Sequence, residues 1–190
     1  MSPDKVSRRG FLAAGAGLFV LFRANPVRAQ DHGRMPPYPT DFNAYLRIGA
    51  DGRVTCFSGK VELGQGAMTS LAQCLAEELD VPFDAVDVVM GDTDVCMWDY
   101  GTVASMTTPL FTPEVRKAGA EARAVLLQMA AERLQAPLLR LTVKAGIITD
   151  PAQKRRISYA ELVQGKRIER HLEHVPTKAP AVLKVIGTSP

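Results

Sequence analysis

The sequence predicts an α+β fold, in which a small mixed sheet is packed by two main helices between about residues 40 and 165. Short apolar runs bounded by turn residues predict the strands. Two longer stretches with apolar residues at helical spacing predict the helices. A segment of about 125 residues is long enough to bury an adequate core, so we expect a single unit.

The first predicted element is a β-hairpin. Residues 42–48 and 54–57 are short strand-like runs. The Asp51-Gly52 pair between them suits a tight turn that joins antiparallel strands.

The first predicted helix covers residues 68–79 and ends before Pro82. Its opposite side carries Glu77 and Glu78, for which we expect solvated roles, as we do for Glu62 in the preceding turn. The apolar residues that recur at helical spacing are Leu71, Cys74, Leu75 and Leu79.

A strand follows at residues 86–90, and a loop without periodicity then runs past Trp98 to Pro109. Loops of this length in compact domains are more often functional than inert. The second main helix is predicted to begin with Thr112 as its N-cap and Pro113 in its first position.

The remaining elements are shorter. Residues 141–143 and 147–148 predict a second hairpin, and Ser158 with Glu161 forms a capping box for a short helix that Gly165 ends. Residues 166–190 are irregular and punctuated by proline, so they are interpreted as a connector towards a second domain.

Residues 59–66, Gly-Lys-Val-Glu-Leu-Gly-Gln-Gly, form a glycine-spaced turn between a predicted strand and a predicted helix. Gly64 and Gly66 tolerate positive φ and leave no Cβ in the way, so main-chain N–H groups near the helix start are able to face an anionic group. Taken alone the pattern is weak, because glycine turns before helices are common, and a purely structural turn is the alternative.

Residues 1–29 predict a twin-arginine signal peptide. The segment contains Ser-Arg-Arg-Gly-Phe-Leu at 7–12, an apolar run at 12–22 and a small-residue cleavage site at 27–29. The alternatives are a membrane anchor or a chance pair of arginines, although the apolar run is too short to span a bilayer. We expect export to the periplasm, with residues 30–40 as a proline-containing linker.

Charge and cysteine usage exclude several functions. Removal of residues 1–29, with five basic side chains and one acidic side chain, lowers the net charge from +3 to −1, so nucleic-acid binding is not favoured. Three widely spaced cysteines lack metal-site spacing, and Cys56 and Cys74 are expected to be buried free thiols. His171 and His174 are expected to face solvent, and no metal site is predicted.

The glycine turn and its surroundings resemble a known family. The turn at 59–66, Ala-Glu-Glu-Leu at 76–79 and Val-Val-Met-Gly-Asp-Thr at 88–93 are similar to the molybdopterin-binding subunits of the xanthine dehydrogenase family. The similarity is strongest to the isoquinoline 1-oxidoreductase β-subunit and membrane-associated aldehyde dehydrogenase type, and it continues to the Val-Ile-Gly at 185–187.

The resemblance implies a set of cofactor contacts. In this family a Gly-Gln-Gly turn lies against the pterin and pyrophosphate portions of molybdopterin cytosine dinucleotide, and a second loop adds contacts. The loop departs from the family's Gly-Thr-Phe-Gly-Ser-Arg, because Ala104 replaces a glycine and Met106 replaces the arginine. Carried onto this sequence, the expected cofactor-binding residues are Gly64, Gln65, Gly66, Gly101, Thr102 and Ser105.

The resemblance also implies the function. We expect the N-terminal part of a molybdenum hydroxylase that hydroxylates an aldehyde or N-heterocycle with water-derived oxygen, inactive alone because no segment matches the family's catalytic glutamate. The implied partners are the remaining molybdopterin-binding portion and an iron–sulfur or cytochrome c subunit, with peripheral membrane association through them. The alternative is a non-catalytic periplasmic interaction module with the same fold.

Overall fold

The first sheet contains the strands that position the glycine turn. The computed structural model describes residues 37–189, and in it β1 (Leu46–Ile48), β2 (Val54–Ser58) and β3 (Val86–Met90) form a sheet of order β1-β2-β3. β1 and β2 are antiparallel, whereas β2 and β3 are parallel. The predicted mixed sheet is therefore confirmed.

Two long helices pack on each other, and the first of them also packs on this sheet. α1 (Ala67–Leu79) connects β2 to β3, and α2 (Thr112–Leu134) follows the long loop. The helices approach closely at Gly119, where an added Cβ would lie 2.9 Å from the Cβ of Glu78 and 3.2 Å from Cδ2 of Leu75. Glycine at this position therefore lets the two backbones come together.

A second sheet lies beyond α2. β4 (Thr142–Lys144), β5 (Ile147–Asp150) and β6 (Arg155–Ser158) form an antiparallel meander, where the sequence predicted only a hairpin. β6 begins with two exposed arginines, so its sequence lacks the apolar run that predicts a strand. The short helix α3 (Tyr159–Val163) follows, and its capping box between Ser158 and Glu161 is confirmed.

Two predicted boundaries were wrong. Residues Phe42–Ala44 form a 3₁₀-helix capped by the Asp41 side chain, so the predicted strand at 42–48 shortens to β1. Thr112 is not an N-cap, because a π-helix (Thr107–Phe111) runs directly into α2, and the Thr112 hydroxyl donates to the carbonyl of Thr107 at 3.5 Å.

The C-terminal segment (residues 166–189) is irregular, as predicted, apart from a 3₁₀ turn at Pro180–Val182. It is fastened to α1 by side chains that were expected to be solvated. Glu77 and Glu78 are only 3% and 1% exposed, so that expectation was wrong. Their partners in the C-terminal segment lie 100 to 109 residues away in the chain, which sequence periodicity cannot reveal.

Glu77 binds the backbone of this segment. One of its carboxylate oxygens, Oε2, accepts the N–H groups of Lys184 at 2.7 Å, Val185 at 2.6 Å and Ile186 at 3.3 Å. Nearby, the amide of Gln73 donates to the carbonyl of Val185 at 3.1 Å. Three successive N–H groups converging on one oxygen form an anion-binding concavity, here filled by the protein's own carboxylate.

Glu78 completes the attachment. Its carboxylate pairs with the guanidinium of Arg116 on α2 and accepts the N–H of Lys178 at 3.1 Å. The Lys178 ammonium in turn reaches Asp80 at the end of α1. The segment is therefore held by buried charges that are each partnered, as buried charges require.

The predicted signal peptide lies outside the described residues, as does most of the predicted linker. None of the helices between residues 37 and 189 combines the length and apolar character that a membrane crossing needs. Cys56 and Cys74 are buried free thiols, and burial raises the pKa of Cys56 to about 12 and that of Cys74 to about 11.

Candidate cofactor site

Two loops leave the same edge of the first sheet. The first loop (residues 59–66) follows β2, and the second loop (residues 91–106) follows β3. Because β2 and β3 are parallel, with Ser58 opposite Met90, their carboxyl ends meet at one edge. In open α/β sheets this edge is where ligands bind.

Gln65 organises the first loop from within. Its Nε2 donates to the carbonyl of Val61 at 2.9 Å, and its Oε1 accepts the N–H of Leu63 at 2.6 Å. A carboxamide has two N–H donors and two acceptor lone pairs, so one of each remains for a ligand. The loop therefore presents an exposed carboxamide in a fixed orientation.

Glu62 occupies the start of α1. Its carboxylate accepts the N–H groups of Gly64 at 2.8 Å, Gly66 at 3.0 Å and Met68 at 2.8 Å. The donors of Met68 and Gly66 hold the pKa of Glu62 below its ordinary value, so it is ionised at neutral pH. The anion that these N–H groups face in this structure belongs to the chain itself.

The second loop adopts left-handed backbone at four positions, of which Gly91 with φ of 64° is the first. Gly101 has φ of 95°, and Ala104 and Ser105 have φ of 49° and 57°. Ala104, which stands where the resembling family has glycine, therefore adopts a backbone conformation that glycine favours. An L-residue in this region is strained by about 1 kcal/mol.

The two loops are joined by a direct hydrogen bond and by close packing. The N–H of Val61 donates to Oγ1 of Thr102 at 2.8 Å. A Cβ added to Gly59 would collide with the Cβ of Asp99 and lie 2.9 Å from the carbonyl oxygen of Met97. Glycine at residue 59 is therefore required for this contact.

Beneath the loops lies a buried ion pair. The Lys60 ammonium and the Asp99 carboxylate are 2.6 Å apart, and their side chains are 1% and 3% exposed. Tyr38 contacts both, since its hydroxyl lies 3.2 Å from Nζ of Lys60 and 3.3 Å from Oδ2 of Asp99. Burial and the neighbouring Asp99 charge raise the pKa of Tyr38 well above its ordinary value, so the phenol stays protonated.

Aromatic rings surround this pair. Tyr38 makes edge contacts with Tyr100 at 4.9 Å and with Phe111 at 5.3 Å between ring centroids, and Trp98 meets Tyr100 at 4.7 Å. The Lys60 ammonium lies 5.5 Å from the centroid of Phe111. Cation–π attraction therefore adds to the ion pair in holding Lys60.

The outer side of the loops is unusually apolar. Most of the large apolar side chains exposed in the described part of the chain belong to this region, whereas single exposed apolar residues elsewhere need no explanation. They are Val61, Leu63, Met68, Val95, Trp98, Val103, Met106 and Leu110. Such a concentration of exposed apolar side chains in one part of the chain is typical of an interaction site.

The space beyond the first loop is open to a ligand. A Cβ built on Gly64 or Gly66 meets no atom within 4 Å, so a ligand is able to approach the main chain there. Gln65 suits the heteroatoms of a ring such as a pterin. A phosphate at the start of α1 would instead meet the Glu62 carboxylate and be repelled. The residues therefore fit an uncharged ring edge and do not fit a pyrophosphate at that position.

All six residues predicted from the resemblance lie on the two loops that follow β2 and β3. Gly64, Gln65 and Gly66 are exposed on the first loop, and Gly101, Thr102 and Ser105 lie on the second. Sequence reasoning missed the buried Lys60 and Asp99, although Lys60 stands inside the motif. Residues 37–189 contain no cluster of His, Cys, Asp or Glu able to hold a metal ion.

The fold and the loops define a cofactor-binding domain, and comparison with known proteins gives the family. The model of the molybdopterin cofactor-binding domain matches residues 5–184, so the chain belongs to this family. The chain is 40% identical over 146 residues to a nicotinate dehydrogenase component of Pseudomonas putida KT2440, covering 76% of this chain and 12% of that protein.

Two further similarities agree with this family. The chain is 35% identical over 184 residues to the β-subunit of isoquinoline 1-oxidoreductase from Brevundimonas diminuta, covering 90% of this chain and 23% of that protein. Quinoline 2-oxidoreductase from Pseudomonas putida 86 matches in structure with a TM-score of 0.53 and 26% identity, over 62% of this chain and 15% of that chain. The chain thus spans less than a quarter of each of these proteins.

Proposed function

We propose that the chain is the N-terminal cofactor-binding part of a molybdenum hydroxylase large subunit, and that its two loops form one side of a site for molybdopterin cytosine dinucleotide. The observation that carries the proposal is the meeting of both predicted loops at the carboxyl edge of β2 and β3. The family match over residues 5–184 supports it.

The residues of this chain bind and orient the cofactor. Gln65, oriented by its bonds to Val61 and Leu63, exchanges hydrogen bonds with pterin heteroatoms. Gly64 and Gly66 give the ring system access to the backbone. When bound, the cofactor supplies the oxygen-transfer chemistry by which an aldehyde or N-heterocycle is hydroxylated with water-derived oxygen.

The exposed apolar side chains of the loops support a partner requirement. In this proposal the remaining molybdopterin-binding portion covers them and supplies the catalytic base, so residues 1–190 alone turn over no substrate. An iron–sulfur or cytochrome c partner removes electrons, with peripheral membrane association through these partners. The pattern at residues 7–12 supports export by the twin-arginine route to the periplasm.

The test is cofactor content. The chain is coexpressed with the products of its neighbouring reading frames, and the purified complex is assayed for molybdenum and for CMP released by acid hydrolysis. We expect both in the wild-type complex and a loss of both in Gln65→Ala. Gln153→Ala, an exposed glutamine in a distant turn, is the matched control and should retain them. A complex that forms without molybdenum or CMP contradicts the proposal.

One observation favours a second candidate, a non-catalytic periplasmic interaction module. Glu62 already satisfies the N–H groups at the start of α1, so the first loop is internally bonded without a ligand. If Lys60→Ala and Gln65→Ala associate normally with a partner in a complex that lacks molybdenum, the module replaces the cofactor-binding function.

A further inference from the structure

Lys60 is buried to a degree that lysine almost never reaches without a partner. Its ammonium has three N–H donors, and each finds an acceptor: Oδ1 of Asp99 at 2.6 Å, the carbonyl of Gly101 at 2.8 Å and the hydroxyl of Tyr38 at 3.2 Å. The charge is therefore completely satisfied by groups from the second loop and from the segment before β1.

Lys60 and Asp99 both bind the backbone of Gly101. Oδ1 of Asp99 accepts the N–H of Gly101 at 2.7 Å, while Nζ of Lys60 donates to the carbonyl of the same residue. Gly101 has φ of 95° and immediately precedes Thr102, whose hydroxyl oxygen binds the first loop. The orientation of residues 101 and 102 is thus set by two charged side chains.

Stability alone does not explain such a pair. Replacing a buried ion pair with apolar residues of similar volume is often neutral or stabilising, whereas removing one partner is costly. What an apolar pair cannot reproduce is the hold on the Gly101 N–H and carbonyl. The specific result of Lys60 and Asp99 is therefore the fixed relation between the two loops.

We propose that Lys60 and Asp99 are positioning residues, which lock the first and second loops at the spacing that the cofactor requires. This inference rests on the proposed function, since it concerns the same site. Retention of the cofactor then depends on the charged pair itself and not on the stability of the fold.

The experiment separates cofactor retention from fold stability with three variants. They are Lys60→Met, the double variant Lys60→Met/Asp99→Leu, and Asp150→Asn. Asp150 is a fully buried carboxylate paired with Arg140 in the second sheet, so it serves as the matched control. For each complex, the thermal midpoint is compared with the molybdenum and CMP content after dialysis.

We expect Lys60→Met to lose both stability and cofactor. The double variant should regain thermal stability but retain about tenfold less cofactor, in the range found for groups that orient ligands to a metal site. Asp150→Asn should lose stability and keep its cofactor. Wild-type cofactor content in the double variant, or cofactor content that follows the thermal midpoint in all three variants, overturns the proposal.

If the double variant fails to fold, Tyr38→Phe provides the same comparison, because it removes one acceptor of the ammonium and keeps the ring. Partial cofactor loss at a nearly unchanged midpoint supports the proposal, and unchanged content overturns it.

A measurement that needs no cofactor tests separately whether Lys60 and Asp99 hold the two loops together and whether the proposed function is correct. Trp98, the only tryptophan of the chain, is adjacent to Asp99. Acrylamide quenching of its fluorescence in the 190-residue chain should rise in Lys60→Met and in the double variant. Unchanged quenching in both variants overturns the positioning role of Lys60 and Asp99. A wild-type complex without molybdenum refutes only the cofactor-binding function.

Discussion

The two loops at the sheet edge and the C-terminal segment are both irregular backbone fixed by buried charge, but their charges are partnered differently. In the loops, Lys60 and Asp99 neutralise each other, so the contact needs a particular side chain on both sides. In the C-terminal segment, Glu77 binds main-chain N–H groups of residues 184–186, which any residue except proline offers.

This difference determines which substitutions each region tolerates. The loops depend on the identities of residues in three separate parts of the chain, while the C-terminal segment is attached largely through its own backbone, which Gln73, Glu77 and Glu78 bind. The loops also leave apolar side chains exposed, whereas the C-terminal segment covers polar groups of α1. The loops therefore present a surface suited to an interaction, whereas the C-terminal segment covers α1.

The largest effect that tests this contrast is expected for Glu77→Ala. It leaves three backbone N–H groups without their acceptor, and we expect a loss of about 3 kcal/mol of unfolding free energy, measured by urea denaturation. Hydrogen exchange at the amides of residues 184–186 should accelerate. Glu173→Ala, at an exposed glutamate of the same segment, is the control. Equal stability of both variants would show that Glu77 does not fasten the segment.

The second expected effect is a loss at low pH of the stability that Glu77 contributes. Burial opposes ionisation of Glu77, but the N–H donors of Val185, Lys184 and Ile186 outweigh it, so its pKa lies below the ordinary 4.5. A lowered folded-state pKa gives stability that is complete above the unfolded value of 4.5 and is lost as the pH falls through the folded value.

The pH effect is measured as the thermal midpoint of wild type and Glu77→Gln between pH 7 and pH 3. Because other carboxylates also titrate, the informative quantity is the difference between the two proteins, which should shrink below about pH 4.5. A difference that is constant over this range would contradict the assignment.

A smaller effect is expected in the loops for Thr102→Val, which removes the acceptor of the Val61 N–H. Loss of one hydrogen bond between partly exposed groups should cost about 1 kcal/mol in urea denaturation. Thr149→Val in β5 changes the same atoms in a strand, where valine is favoured, and should cost nothing. If both variants lose the same stability, the bond between the loops contributes nothing particular.

The smallest effect is a gain. Ala104→Gly places the favoured residue at φ of 49° and should add about 0.5 kcal/mol of unfolding free energy. Ala152→Gly, at an exposed turn position without positive φ, should instead lose stability. A loss in Ala104→Gly would mean that its methyl group makes contacts that outweigh the backbone strain.

The sequence predicts the features that local patterns encode and misses those that depend on distant partners. All strands except β6, both main helices and the capping box at Ser158 follow from local periodicity and end signals. The six candidate site residues were predicted from a motif and stay a prediction. The π-helix before α2 was missed because Thr112-Pro113 imitates a helix start. The buried roles of Lys60, Glu77 and Glu78 depend on partners between 22 and 109 residues away, which no local pattern encodes.

Gly119 affects the C-terminal segment although it does not contact it through a side chain. It lets α2 approach the Cβ of Glu78, and Glu78 in turn holds the N–H of Lys178. A methyl group at residue 119 would push the helices apart and move the carboxylate that anchors a stretch of chain almost sixty residues later. The size of the side chain at residue 119 therefore determines how closely the C-terminal segment is held against α1.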